Sequence, residues 1–218
     1  IMKVSILNKI FKVKRRNFFI GILALSTFPK IVLSDQSTIK HMMRSQFLGS
    51  DDAPIKIKEY FSLTCGHCAN FHKNTLPKLK NKYIDKGKIQ LEFIDYPLDR
   101  LAVIAAALAR TLPSDEGYVK AIDILLQKQK QWAYSKKPLE DLYSIAKLFG
   151  VSSKEFDDIK KNIPLMQEII NKMEKESENF NIESTPTFII NNKQKISGAL
   201  SFKEFEKKLL TLVKSKNS

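Results

Sequence analysis

Ile55-Lys56-Ile57-Lys58-Glu59-Tyr60-Phe61 alternates apolar and polar side chains, the period of an extended strand that turns one face to a core. The alternation returns in Ile89-Gln90-Leu91-Glu92-Phe93-Ile94, after the turn Lys86-Gly87-Lys88. Far downstream come two more strand-like runs, Thr187-Phe188-Ile189-Ile190 and Lys195-Ile196-Ser197, with Asn191-Asn192 between them. Two short strands across an Asn-rich tight turn predict a hairpin. From Gly66 to Ile84 the apolar positions Phe71, Leu76, Leu79 and Tyr83 recur at helical spacing, and Pro77 should kink or split that helix. Near the carboxyl end, Ser201 followed three residues on by Glu204 forms a capping box. It opens a helix carrying Phe202, Phe205, Leu209, Leu210 and Val213 on one side.

The middle of the chain differs. Apolar residues recur every three or four positions through Leu101–Leu112, Tyr118–Gln131, Leu139–Phe149 and Ile163–Met173, with Pro113, Pro138, Gly150 and Pro164 as breakers. Four or five successive helices are expected there. Strands interrupted by helices on both sides of such a block predict an α/β layer fold with an all-helical insertion. The boundaries read as a lead-in at residues 35–54 holding one short helix, a sheet-bearing domain at 55–97 and 180–216, and the insertion at 98–179.

Residues 1–34 stand apart. They hold seven of the 37 Lys/Arg and no acid, which is half of the net charge of +14. The basic stretch ending Lys14-Arg15-Arg16 runs into an apolar segment that stops near Phe28, short of the roughly 20 residues a membrane-spanning helix needs. This is the pattern of a secretory signal peptide, with cleavage after Ser34, and it places the mature protein in the periplasm. An uncleaved anchor is the alternative, and Arg15-Arg16-Asn17-Phe18-Phe19 resembles the twin-arginine export motif. The remaining basic residues are scattered without interleaved aromatics, which argues against nucleic-acid binding.

The chain has two cysteines, and both lie in Cys65-Gly66-His67-Cys68. Two intervening residues let the sulfurs join across the first turn of a helix. The strand ending near Phe61 delivers Cys65 to that helix's amino terminus, where free N–H groups and the dipole favour thiolate. A protonated His67 would add to this, and cysteines so placed have pKa values of roughly 3.5–7.5. Cys65 is therefore the expected attacking sulfur and Cys68 the buried resolving partner. A structural disulfide closing so short a loop would constrain little. Cys65, Cys68 and His72 stand at zinc-like spacing, but a fourth ligand would have to come from His67 or His41, and no second ligand pair exists. No metal and no cofactor is expected.

Glu59 shares its parity with Ile55, Ile57 and Phe61, so its carboxylate falls on the strand's apolar face, six residues before Cys65. A desolvated carboxylate there could take up and release the resolving thiol's proton. The plainer alternatives are a frayed strand end or a lysine partner. Thr185-Pro186-Thr187 opens the third strand, and on local grounds a trans proline is the default.

Together these residues resemble the DsbA family of thiol–disulfide oxidoreductases over roughly residues 50–214. The resemblance rests on Glu59-Tyr60-Phe61-Ser62 leading into Cys65-Gly66-His67-Cys68, on Tyr96-Pro97-Leu98-Asp99, on Phe180 to Phe188 with Thr185-Pro186, and on Gly198-Ala199-Leu200-Ser201. It implies a thioredoxin-like fold whose helical insertion caps the active site. It also implies a cis Pro186 packed against the disulfide, Thr185 offering backbone hydrogen bonds to a bound peptide, and a membrane oxidase of the DsbB type. The expected activity is introduction of disulfides into reduced, unfolded exported proteins by a monomer. Gly66-His67 departs from the proline–histidine pair of many DsbA proteins and matches disulfide isomerases. An isomerase or reductase is thus the nearer alternative, although residues 35–54 look too short for the dimerisation domain isomerases usually carry. A copper-handling protein of the same fold is the remoter one; it would usually use a wider cysteine gap and a distant histidine.

Overall fold

The computed structural model describes residues 31–214. The segment expected to be a signal peptide, residues 1–34, lies outside them except for residues 31–34, which open helix α1 (Ile31–Met42). Strands β1 (Gln46–Leu48), β2 (Ile55–Phe61), β3 (Ile89–Asp95), β4 (Thr187–Ile190) and β5 (Gln194–Ser197) form one sheet in the order β1-β3-β2-β4-β5. β2 and β3 are parallel and every other pairing is antiparallel. Helices α2 (Gly66–Asn74) and α3 (Leu76–Leu79) cross from β2 to β3, divided where Pro77 was expected to break the helix, and a π-helical turn over Lys80–Ile84 completes the crossover.

Between β3 and β4 stand α4 (Arg100–Arg110), α5 (Asp115–Gln127), α6 (Gln129–Trp132), α7 (Pro138–Ala146), α8 (Ser153–Lys161) and α9 (Ile163–Phe180). Helix α10 (Phe202–Lys214) closes the chain. Its capping box is in place, with Ser201 N donating to Glu204 Oε2 at 3.1 Å and Glu204 N donating to Ser201 Oγ at 3.4 Å. A mixed sheet with a parallel β2–helix–β3 unit, an antiparallel β4–β5 hairpin and helices inserted between the halves is the thioredoxin-like fold with a helical insertion.

Two elements differ from the expectation. The lead-in contains a strand as well as a helix: β1 pairs Gln46 with Phe93 and Leu48 with Leu91 at the sheet edge. Three residues are too few for a period to show. Gly49, at φ +105°, then makes the turn, and a Cβ there would lie 2.5 Å from Ile89 O. Helix α8 was also unanticipated; it has its own capping box, Ser152 with Glu155, but buries only Phe156 and Ile159. The hairpin turn is as expected, with Asn191 and Asn192 both at positive φ (50° and 56°).

Both faces of the sheet are covered, so β2 and β3 are mostly buried although they carry Lys56, Lys58, Glu59, Gln90, Glu92 and Asp95 among their apolar residues. One face carries Ile57, Phe61, Leu91, Phe93, Phe188 and Ile190 against α2 and α10; Phe71 stacks on Phe188 with centroids 4.5 Å apart, and Phe188 meets Phe205 at 4.9 Å. The other carries Tyr60, Ile94 and Ile189 against Ile182 and Phe180. There the Tyr60 hydroxyl donates to Glu176 Oε2 at 2.6 Å, and burial, then that carboxylate, push the phenol far up.

The insertion is tied to the sheet by a buried ionic set. Arg110 Nε donates to Asp95 Oδ2 at 2.7 Å, and its Nη1 donates to Met42 O and Arg44 O at 3.2 and 2.7 Å. The Tyr118 hydroxyl donates to Asp95 Oδ1 at 2.9 Å, and the Arg110 guanidinium lies 4.9 Å from the Tyr118 ring centre.

Candidate active site

Cys65 is the N-cap residue of α2, in extended conformation (φ −82°, ψ 116°), with no side chain capping the helix. The first-turn N–H groups are thus available to its sulfur. The loop that carries it, Ser62 to Thr64, is held largely from the inserted helices. Gln129 Nε2 donates to Leu63 O at 2.7 Å and to Cys65 O at 3.0 Å, and the Tyr134 hydroxyl donates to Thr64 O at 2.9 Å. Thr64 Oγ1 donates to Asp99 Oδ2 at 2.7 Å, while Asp99 Oδ1 caps α4 by accepting from Ala102 N at 2.8 Å.

Both cysteines are free and buried, Cys65 at 8% exposure and Cys68 at 0%. Thr185 and Pro186 are brought to them from 120 residues away. The Thr185–Pro186 bond is cis, so the default from local sequence is corrected here, and Cys65 Sγ donates to Thr185 O at 3.3 Å. The Thr185 hydroxyl is buried without a hydrogen-bond partner of its own.

The two sulfurs are driven apart chemically. Cys65 is lowered from 9.0 to about 5: the Cys68 S–H is the largest cause, burial opposes it, and the Thr185 side chain with the N–H groups of Cys68 and His67 adds to the lowering. Cys68 is pushed far up, by burial first, then by Cys65, with the charge of Glu59 contributing. The His67 side chain is exposed; its visible contribution is its N–H rather than an imidazolium charge.

A depressed Cys65 stabilises the folded dithiol form. The sign follows from linkage: the stabilisation is complete above pH 9.0 and is lost as pH falls through about 5. Cys68 is raised and alters nothing below pH 9. The disulfide form lacks both thiols, so the difference between the two forms isolates this effect. Urea unfolding at pH 5 and pH 8 should show the dithiol form gaining on the disulfide form by roughly 3–4 kcal/mol. An invariant difference would contradict the assignment.

Glu59 is neither at a frayed strand end nor paired with a lysine. It sits mid-strand in β2, opposite Phe93 of β3 and Phe188 of β4, fully buried, with Oε1 3.0 Å from His72 Nε2. His72 entered the sequence reading only as a zinc-spaced residue. Among the described residues no group of three or more His, Cys, Asp or Glu could hold a metal ion. Gln129, Tyr134 and Asp99 were missed as supports of the loop. They lie 35 to 70 residues from the carbonyls or hydroxyl they bind, and a hydrogen bond across that separation leaves no local pattern.

A Cys-x-x-Cys pair opening a helix, faced by a cis-proline loop across a mixed sheet, defines a thioredoxin-fold dithiol protein. The family described as Thioredoxin matches residues 42–210. The fold is similar to the crystal structure of Wolbachia pipientis alpha-DsbA1, with a TM-score of 0.70 and 31% identity, covering 78% of this chain and 91% of that one. A provisionally named protein-disulfide oxidoreductase of Rickettsia typhi is 31% identical over 165 residues, 76% of this chain and 61% of its own length. Disulfide bond formation protein D of Bacillus subtilis is 26% identical over 154 residues, 67% of each chain. The chain belongs to the DsbA family of thioredoxin-fold oxidoreductases. It spans only 53–61% of the length of the first Rickettsia relatives it matches.

Proposed function

We propose that the protein introduces disulfides into exported proteins by exchange through Cys65–Cys68. The observation that carries this is the contrast between the sulfurs: one held near pKa 5 at a helix N-cap, the other buried and held protonated. A client thiolate attacks Cys65 Sγ, the Cys65–Cys68 bond breaks, and Cys68 leaves and takes a proton. A second client thiolate then attacks the client sulfur of the mixed disulfide. The client disulfide forms and Cys65 departs as a thiolate, a good leaving group because its pKa is low. Thr185 O, now bonded by the Cys65 thiol, and the apolar surroundings of Pro186 would hold the extended client segment. Glu59 exchanges the proton of Cys68.

The names of the relatives and the likeness to alpha-DsbA1 support this reading. The basic, then apolar, pattern of residues 1–34 supports export to the periplasm behind a signal peptide, and family membership supports protein clients and reoxidation by a membrane oxidase of the DsbB type. Among the described residues no helix is long and apolar enough to cross a membrane. We read the working unit as a monomer in which residues 98–179 cap the site.

Gly66-His67 favours one second reading, an isomerase or reductase. Replacing Cys65 by alanine should abolish oxidation of a reduced test protein by the purified disulfide form, and undiminished oxidation would refute the assignment. A reducing potential in equilibrium with glutathione, or a stable dimer, would favour the isomerase.

A further inference from the structure

Glu59 is sealed from solvent in the central strand, so a proton that reaches it must pass through another group. Its hydrogen-bond partner, His72, is nearly as buried, but its ring forms part of the wall of a cleft of about 730 Å³ between α2–α3 and α5. Two atoms of the pair, Glu59 Oε2 and His72 Nδ1, are buried without partners, which is costly unless they meet water. The cleft is large enough for several waters. Lys73, Lys80, Glu116, Lys120 and Asp123 stand around it, and Leu76, Phe93 and Val119 make its apolar lining.

We propose that His72 is the outer station of a proton route that runs from Cys68 through Glu59 and His72 to water in this cleft. The inference rests on the exchange chemistry proposed above and adds the residue that connects it to solvent. When Cys68 is expelled from the disulfide, its sulfur takes a proton from Glu59, Glu59 regains one from His72 Nε2, and water in the cleft reprotonates His72. On reoxidation the same proton travels outward. Cys68 is held strongly protonated by burial, so expelling it without a proton donor would be slow.

The groups facing the pair fit this role. Cys68 feels the Glu59 charge from the inner side, and Phe93, Phe61 and Phe71 flank the imidazole with ring centres 5.9–6.0 Å away. Lys73, Lys80, Glu116, Lys120 and Asp123 stand around the cleft, and Tyr118 of the Asp95–Arg110 set senses Glu59. His72 is a positioning and proton-transfer residue; it does not touch the client.

The test uses the full chain in its disulfide form, reduced by dithiothreitol in a stopped-flow instrument from pH 5 to pH 8. His72→Gln keeps a hydrogen-bonding side chain but does not titrate. It should slow reduction roughly tenfold to a hundredfold and flatten the pH profile, while the alkylation midpoint of Cys65 stays in place. His72→Ala should be slowed likewise and accelerated by added imidazole in proportion to concentration, a response that loss of packing alone would not give. A His72→Gln protein with wild-type rates and profile, or a folded His72→Ala protein indifferent to imidazole, overturns the proposal. Failure of the underlying exchange reading looks different: the wild-type disulfide would not react with dithiothreitol, or wild-type Cys65 would titrate near 9.

Discussion

Cys68→Ala is expected to abolish oxidation of client proteins completely and, in the same protein, to raise the pH midpoint of Cys65 alkylation. The first effect follows because no internal disulfide can form; the remaining thiolate instead captures a client disulfide and holds it, since nothing resolves the mixed species. The second follows from the hydrogen bond. The Cys68 S–H is the largest cause of the lowering of Cys65 to about 5, and burial pushes the other way. A hydrogen bond to a charged group is worth roughly 1.5–3 kcal/mol, so its loss should raise the midpoint by roughly one to two pH units. Cys68→Ser retains a donor at nearly the same place and should leave the midpoint closer to 5 while abolishing oxidation just as fully. Iodoacetamide rates against pH for the reduced proteins measure both. If alanine and serine leave the midpoint equally unmoved, the N–H groups of His67 and Cys68 and the helix dipole hold the thiolate without the second sulfur.

The largest loss of stability is expected from the set that joins the insertion to the sheet. Arg110 and Asp95 are buried, at 0% and 5% side-chain exposure, and Arg110 also binds two carbonyls between α1 and β1. Arg110→Ala leaves Asp95 as an uncompensated buried charge and should cost about 3–5 kcal/mol in urea unfolding. Removing the charge at both ends, as Asp95→Leu with Arg110→Met and Tyr118→Phe, should restore much of that loss, because a well-packed apolar set of similar volume often matches a buried ion pair. A single variant as stable as wild type would show that the set orients the insertion without holding it.

These two sites differ in how far the sequence announces them. The cysteine pair, the strand before it and the capping box at Ser201 are local, and local spacing predicts them. Glu59 was legible as an anomaly: strand parity put a carboxylate on the apolar face, and the face is indeed buried. Its partner was not, because His72 occurs at a spacing that reads equally well as a metal ligand or a surface residue, and only packing of α2 on β2 brings the two together. The cis state of Thr185–Pro186 was implied by family resemblance and contradicted local preference. Arg110 closes an alanine-rich helical run, where a long cation reads as exposed, and its acceptors lie on two distant segments, residues 42–44 and Asp95. The strand Gln46–Leu48 is defined by its edge pairing with β3 alone.

The grip of Gln129 and Tyr134 on the carbonyls of residues 63–65 has a consequence for transplantation. A minimal scaffold built from the five strands and the flanking helices would keep both sulfurs and the proline bend, yet its redox loop would have lost three of its amide and phenol tethers. The chemistry of this loop is therefore a property of two intertwined halves, and grafting its four-residue motif alone would carry over the letters without the posture.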